Sequence, residues 1–216
     1  MRIDRRLYLV VPVYEGDEGT NVVAHVHSAP LAEDVVDEHF MILGKTYAAI
    51  FSGGFGMAAG PAYAMRILRH VAEEAGVWED DRESGRTGVR QGLVEEMRRL
   101  TNVAVKRGDD WEPMPLAIAV DAGVIDEEDL REVENAIAFF IVASASLGRS
   151  QRPAMLNAAA ELWGARISSS NFTEFLNSLK TSTGTGSSGK RPPADAKGAA
   201  APATATGGGK RRSVPV

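Results

Sequence analysis

The chain has 216 residues, 44% of them hydrophobic, and no cysteine, which excludes disulfides, thiolate zinc sites and thiol nucleophiles. Its net charge of −5 is uneven, because residues 181–216 carry +5 and residues 1–180 carry −10. Phosphate contact requires positive charge, so the acidic body argues against nucleic acid as a partner.

The first predicted elements are two strands, "RLYLVVPVY" and "NVVAHVHS", which are rich in β-branched residues and flank the turn-like "EGDEGT". Pro12 cannot donate to a neighbouring strand, so the first strand is expected at a sheet edge or paired on one side only. His25 and His27 alternate along the second strand and share a face, as metal ligands can. His39 and His70 are the only other histidines, so the pattern favours polar residues on an edge strand over a metal site.

Helices are predicted for the rest of the body. Ser28 is a candidate cap for the first helix, which ends at Gly53 and Gly54. Pro61 is expected in the first turn of the second helix, which ends at Gly76. A third helix is predicted from about Thr87, with one apolar face made of Val89, Leu93, Met97, Leu100 and Ala104.

Four more helices follow in the prediction. A short one spans Leu116 to Asp121, after the irregular stretch "GDDWEPMP". The segment "DEEDLREVENAIAFFIVASASLG" has an acidic first turn and a second half that is apolar on nearly all sides, which is typical of a central buried helix. Another helix runs from Pro153 to Trp163, and "SSSNFTEFLNSL" supplies the last.

The predicted fold class is therefore mainly α, with an N-terminal β-hairpin followed by a compact multi-helix domain. Residues 1–180 form this body in the prediction. Residues 181–216 consist largely of Gly, Ala, Ser, Thr and Pro, which cannot bury enough surface to offset the ordering entropy. We expect them to form a disordered basic tail.

The stretch "GKTYAAIFSGGFGMAAG", residues 44–60, mimics two nucleotide-binding motifs. A P-loop requires Gly-x-x-x-x-Gly-Lys-Ser/Thr after a strand, but the window "HFMILGKT" has His39 at the first glycine position and a helical pattern. The spacing Gly54-x-Gly56-x-x-Ala59 also follows a helix, whereas a dinucleotide fingerprint follows a strand. Lys45 is therefore expected on a solvent-facing helix position, and the glycines at a corner between helices.

No other pattern predicts catalysis. The nucleophile elbow Gly-x-Ser-x-Gly is absent, and Asp80, Asp81 and the "DEED" run suit loops and helix starts. We expect no enzyme activity, no cofactor, and no catalytic, cofactor-binding or metal-binding residues. The longest apolar run, Ala136 to Leu147, is too short to cross a bilayer, and the N-terminus has no secretion signal. A cytoplasmic protein without a membrane partner is expected.

The order of parts resembles a known family. The segments that carry the resemblance are the hairpin, "NVVAHVHSAPLAEDVVDEHFMILGKTYAAIF", "GPAYAMRILRHVAEEAGVW", "GLVEEMRRLTNV", "EVENAIAFFIVASAS" and "SSSNFTEFLNSLKTSTGTG". Over about residues 5–185 they are similar to those of tail assembly chaperones of long-tailed bacteriophages. This resemblance lies in the general pattern and carries over no binding residue. It implies a protein of the host cytoplasm that binds and solubilises the tape measure protein, helps recruit tail tube subunits, and is absent from the mature virion.

The resemblance also implies two products from one start, a short form and a longer frameshifted form that mainly contacts the tube protein. This chain matches the short form, and Gly209-Lys210 is compatible with a slippery GGG-AAA run. The candidate partner-binding faces are those of the helices near Leu31 and Thr87, and self-association is left open. The alternatives are a small structural tail or connector protein, a metal- or nucleotide-dependent enzyme, and a regulator that uses its basic tail on nucleic acid.

Overall fold

The computed structural model describes residues 6–16 and 21–184. Within these ranges the chain forms an α+β fold with seven α-helices and a five-stranded antiparallel sheet. The predicted mainly α class with only a hairpin is therefore wrong, since three strands were missed. The division into a body of residues 1–180 and a tail of residues 181–216 stays a prediction. The last helix runs to Gly184, and residues 185–216 lie outside the described ranges.

The strands are β1 Tyr8–Tyr14, β2 Val22–Ser28, β3 Thr101–Arg107, β4 Asp110–Pro115 and β5 Arg166–Ser168. Their order in the sheet is β4-β3-β2-β1-β5, so the two strands of the predicted hairpin, β1 and β2, both lie inside the sheet. Strand β2 lies at the centre. It pairs with β3 on one side and β1 on the other, and its side chains alternate between the two faces of the sheet.

The largest error of prediction lies at the third helix. Its final residues Leu100 and Ala104 fit a helical spacing, but the helix ends at Arg99 and β3 begins at Thr101. The hydroxyl of Thr101 donates to the Met97 carbonyl at 2.7 Å and so satisfies a carbonyl at the helix end. Pairing with β2 from Thr101 to Val105 then overrides the local pattern.

Strand β4 comes from the stretch that was predicted to be irregular. The turn of residues 108–109 joins β3 to β4, and Gly108 adopts the positive φ of 61° that such short hairpin turns require. Pro113 and Pro115 are tolerated because β4 lies at the sheet edge and pairs only with β3.

Strand β1 does not lie at the sheet edge, which was one of the two placements expected from the missing N–H of Pro12. It pairs with β2 along its length and with β5 at Tyr8, Leu9 and Val10. Pairing with β5 stops before Pro12, so the proline itself faces a partner strand only on the β2 side. Ser28 is also not a helix cap, because it ends β2 and its hydroxyl is hydrogen-bonded to the Thr101 hydroxyl at 3.1 Å.

The helices are α1 Glu33–Ser52, α2 Gly56–Glu74, α3 Glu95–Arg99, α4 Leu116–Asp121, α5 Glu127–Ser146, α6 Arg152–Leu162 and α7 Phe172–Gly184. A π-helical turn, Arg90–Val94, leads directly into α3. The predicted positions of α4, α5 and α6 are confirmed. Helix α2 begins five residues before Pro61, so the proline lies inside the helix and not in its first turn. None of the helices in the described ranges combines the length and hydropathy that a bilayer-spanning helix requires.

Helix α5 is the centre of the main core, as its apolar composition predicted. The carboxylate of Asp126 caps it by accepting from the backbone N–H groups of Glu128 and Asp129 at 2.8 Å. Every residue from Asn135 to Ala143 is buried. Helices α1, α2 and α6 and strand β1 all pack against α5, and the side chains of β1–β3 that face these helices belong to the same core.

One buried polar side chain fixes α5 against α2. The Asn135 side-chain carbonyl accepts from the backbone N–H of Met65 at 3.0 Å, and its amide donates to the Arg131 carbonyl at 2.7 Å. Gly60 allows the close approach nearby, since a Cβ there would lie 2.8 Å from Ile50 Cγ2 and 3.0 Å from the Phe139 ring. Helices α1, α2 and α5 therefore meet at a position that accepts only glycine without adjustment.

We expect Gly60→Ala to lower the free energy of unfolding by about 1–3 kcal/mol, because overpacking outweighs the gain in helix propensity. Gly44→Ala in α1 is the matched control, since a Cβ there has no neighbouring heavy atom within 4 Å. That substitution should raise the free energy of unfolding by up to about 1 kcal/mol. Urea denaturation of both variants measures the difference, and equal stabilisation by both would contradict the close packing at Gly60.

Candidate functional site

The Gly44-Lys45-Thr46 sequence lies in the middle of α1 and forms no loop. Lys45 is exposed, as predicted, while Thr46 is fully buried and its hydroxyl donates to the Ile42 carbonyl at 2.8 Å. The backbone N–H groups of a helix interior are already used within the helix, so they cannot cradle a phosphate. This stretch lacks the geometry of a P-loop.

The glycines that follow form a corner between α1 and α2, as predicted. Gly53 donates its N–H to the Ala49 carbonyl at 2.9 Å and ends α1. Gly54 and Gly56 adopt φ values of 79° and 56°, which a residue with a Cβ rarely adopts. The chain then enters α2 directly, without the strand that a dinucleotide fingerprint needs.

His25 and His27 do share a face of β2, but this face is covered. Strand β2 is central and not an edge, and His27 is only 1% exposed, so the predicted surface placement is wrong. Helix α7 lies over the pair. The ring of Phe175 is 5.6 Å from His25 and 5.4 Å from His27, measured between ring centroids.

Further aromatic rings enclose the two imidazoles, and we call the whole set the histidine–aromatic cluster. Ring-centroid distances are 5.0 Å for Trp111 to His25, 5.0 Å for Tyr8 to His27 and 5.5 Å for Phe172 to His27. The cluster consists of Tyr8, His25, His27, Trp111, Phe172 and Phe175. Its members come from β1, β2, β4 and α7, so sequence spacing could reveal only the two histidines.

The two imidazoles are held in the neutral form. Burial, with a smaller effect from the positive Arg166, lowers the pKa of His25 from 6.5 to about 4. Burial also lowers the pKa of His27, although its Nε2–H donates to the Ser170 carbonyl at 3.1 Å. His25 Nδ1 is buried without a hydrogen-bond partner, and such an atom destabilises a fold by about 1–3 kcal/mol.

The four histidines are not brought together. His39 is buried on α1, where its Nε2 has no hydrogen-bond partner and packs against Gly92 of the π-helical turn. His70 is exposed on α2, with its Nε2 3.5 Å from Glu74. Among the residues that the structure describes, no three histidines or carboxylates are grouped so that they could hold a metal ion.

The candidate carboxylates have structural roles, as the sequence predicted. Asp80 accepts from the Gly88 backbone N–H at 2.8 Å. Asp81 accepts from the Ser84 hydroxyl at 2.6 Å and from the Glu83 backbone N–H at 3.1 Å, which closes an exposed loop. Neither carboxylate faces a nucleophile or a second acid in the described contacts.

A cleft of about 410 Å³ was missed by sequence reasoning, because its walls come from α2, the loop after α2, the π-helical turn, α3 and α5. It is lined by Met65, Arg69, Trp78, Glu79, Arg90, Val94, Arg98 and Glu134. Each of its arginines is paired with a glutamate: Arg69 with Glu73 at 2.7 Å, Arg90 with Glu79 at 3.1 Å, Arg98 with Glu134 at 2.7 Å. With its charges paired, the cleft does not define an anion site.

The most exposed pair of neighbouring large apolar side chains in the described chain lies on α1. Phe40 and Met41 are 60% and 55% exposed, and they follow an exposed acidic stretch made of Glu33, Asp34, Asp37 and Glu38. By contrast, the predicted face of the third helix is unavailable, since Val89, Leu93 and Met97 are buried in the main core. Of the two predicted partner-binding faces, only α1 presents large apolar side chains to solvent.

Comparisons with protein-family models, with curated proteins and with solved structures found no match to this chain. Function has therefore to be inferred from its own residues and surfaces.

We expect no specific binding of ATP or NAD, because Gly44-Lys45-Thr46 is helical and Gly54 to Gly56 form a corner. Lys45→Ala should leave folding and function nearly unchanged, since its side chain is exposed and makes no described ion pair. Calorimetric titration measures this directly. Nucleotide binding that Lys45→Ala abolishes would contradict the assignment.

We expect the contribution of the buried neutral histidines to the free energy of unfolding to be fully present above about pH 6.5, and to be lost as the pH decreases from 6.5 towards 4. In that window the unfolded chain binds more protons than the folded chain at His25, His27 and His39, because burial lowers the pKa of all three. His25→Phe should flatten the profile and raise the free energy of unfolding by roughly 1–3 kcal/mol, because it removes the unpartnered Nδ1. Thermal melts across this pH range provide the measurement.

The matched control for this pH dependence is His70→Gln, since the His70 side chain is 70% exposed. It should leave the profile unchanged. A wild-type profile that is flat between pH 4 and 6.5 would show that the three histidines are not buried in the neutral form.

Proposed function

We propose that this chain is a tail assembly chaperone of a long-tailed bacteriophage, acting without catalysis in the host cytoplasm. In this role it binds the tape measure protein, keeps it soluble and helps recruit tail tube subunits, and it is absent from the mature virion. The order of sequence elements supports the proposal. The exposed Phe40–Met41 pair on the acidic helix α1 is the structural observation that carries it.

The physical logic concerns the unassembled tape measure. A long helical protein exposes apolar stripes before the tube encloses it, and such stripes aggregate. A chaperone needs an apolar surface that accepts helices of varied sequence. Phe40 offers a large contact area, and the flexible, polarisable Met41 adapts to different partners.

The charge around the pair specifies the partner further. Four exposed carboxylates precede Phe40 in α1, and Lys45 is the only lysine or arginine of that helix. The complementary partner is an amphipathic helix whose apolar stripe is bordered by lysine or arginine. The negative body then keeps the complex soluble by repulsion between copies.

The tube subunit would be contacted mainly by a longer frameshifted product that shares this body. The proposed slippage site, Gly209-Lys210, lies outside the described residues. Reading the codons there, together with the overlapping frame, tests this part of the proposal independently of the α1 surface.

We expect the double substitution Phe40→Ser/Met41→Ser to reduce recovery of soluble tape measure protein at least about tenfold on co-expression, because it removes the apolar contact. Leu162→Ser is the matched control, since Leu162 is an equally exposed apolar residue, at 59%, on α6. The control should recover the tape measure protein as wild type does. Circular dichroism of each purified variant establishes that the body is folded.

Equal recovery by all variants would overturn the assignment of α1 as the binding face. Failure of the wild-type chain to recover any tape measure protein would overturn the chaperone function itself. Mass spectrometry of purified virions separates the alternative, because stoichiometric recovery of this chain from particles would identify a structural tail or connector protein.

A further inference from the structure

Sulfur chemistry in this chain depends on methionine alone. The sequence has no cysteine and seven methionines, and all of these except Met1 lie in the described ranges. A thioether reacts with peroxides in proportion to its access to solvent. With no thiol to compete for an oxidant, the exposures of the methionine side chains rank the sulfur sites of the described chain.

Met41 of α1 is the most exposed of these methionines. It is 55% exposed, against 37% for Met57 of α2 and 2% for Met97 of α3. The remaining three are partly buried: Met65, Met114 and Met155. A dissolved oxidant therefore reaches the sulfur of Met41 first.

The neighbours of Met41 on the helix surface leave its sulfur accessible. Gly44 lies three residues later on the same side of α1, and a Cβ added there would meet no heavy atom within 4 Å. Asp37 and Glu38 lie four and three residues earlier, and both are exposed. Their negative charge repels anionic oxidants but has no such effect on a neutral peroxide. The position consequently suits a neutral hydroperoxide.

Oxidation at Met41 alters a surface and leaves the core intact. The next two residues, Ile42 and Leu43, are buried in the main core, whereas Met41 belongs to neither apolar cluster. A sulfoxide converts a flexible apolar side chain into a polar one. At this position the change is confined to the exposed Phe40–Met41 pair.

We propose that Met41 is a reversible oxidation site, at which a neutral hydroperoxide turns off the helix-binding surface of α1. The regulatory part of this proposal rests on the proposed function, because it takes the Phe40–Met41 pair as the binding surface. The sulfoxide oxygen is a strong hydrogen-bond acceptor, and the apolar stripe of a partner helix offers it no donor. Burying it in the interface is therefore unfavourable.

The chemistry is a two-electron transfer of one oxygen atom. The sulfur lone pair attacks one oxygen of hydrogen peroxide, an S–O bond forms and the O–O bond breaks. The proton on the transferred oxygen passes to the leaving hydroxide, so the sulfur is oxidised and the peroxide is reduced to water. A sulfoxide reductase reverses the step with two thiols, which become a disulfide while the oxygen leaves as water.

The first experiment treats the full chain with hydrogen peroxide and follows each methionine by peptide mass spectrometry. Met41 should be oxidised ahead of Met57 and at least about tenfold faster than the buried Met97. Circular dichroism should show an unchanged fold when Met41 is the main site oxidised. Oxidation of Met97 as fast as Met41, or unfolding at that stage, would overturn the proposal.

The second experiment measures binding of a synthetic amphipathic helical peptide of leucine and lysine before and after peroxide treatment. Oxidation of the wild-type chain should weaken binding at least about tenfold, and methionine sulfoxide reductases that act on both epimers should restore it. Met41→Leu keeps an apolar side chain of similar volume, so it should bind the peptide and remain unaffected by peroxide. Met57→Leu is the matched control and should lose binding on oxidation as wild type does.

The outcomes separate this proposal from the chaperone function. Peptide binding that withstands oxidation of Met41, or that peroxide abolishes equally in Met41→Leu, would overturn the regulatory site. Absence of peptide binding by the untreated chain would overturn it too, because α1 would then not be a helix-binding surface. Peptide binding that responds to oxidation, together with failure to recover any tape measure protein, would overturn only the proposed function.

Discussion

The packing of α5 is the constraint on which the rest of the body depends. The second half of α5 is apolar on nearly all sides and can be stable only if other elements cover every side, and α1, α2, α6 and β1 do so. Gly60 lets α2 approach closely, while Asn135 satisfies a backbone N–H of α2 within the core. The buried amide thus fixes which part of α2 faces α5, and apolar contacts alone specify this position less strictly.

The central strand β2 links that core to the smaller cluster on the other face. Its alternating side chains place Ala24 and Val26 under the helices and His25 and His27 under α7. A substitution between Ala24 and His27 therefore affects one layer or the other according to its parity. The layer under α7 is smaller, so it is expected to open before the main core does.

The described surface has two main features, a cleft beside α2 and α3 and an exposed apolar patch on α1. The cleft between α2 and α3 has its arginines paired with glutamates, and no metal-binding group occurs among the described residues. The α1 surface combines an exposed aromatic ring, a methionine and a dense acidic stretch, which is typical of a site for amphipathic helices of opposite charge.

The sequence by itself determined the elements whose stability is local. The acidic first turn and apolar second half of α5, the glycine corner after α1 and the short α4 follow from neighbouring residues, so pattern and structure agree there. It also showed that Lys45 is solvent-facing and that Asp80 and Asp81 are structural, because these roles depend on helix context and turn chemistry. For the candidate site, it placed His25 and His27 on one face of a strand and proposed α1 as a partner surface.

Only the tertiary structure decided the sheet and what lies on each of its faces. Residues 101–107 fit both a helix end and a strand, and the choice was made by pairing with β2, more than seventy residues earlier in the chain. The same pairing turned an expected edge strand into the central one and placed beneath α7 two histidines that were expected at the surface, with His27 buried and His25 partly buried. A local pattern reports the period of a segment, but burial is set by neighbours that are distant in sequence, and a short β-segment acquires its stability only from them.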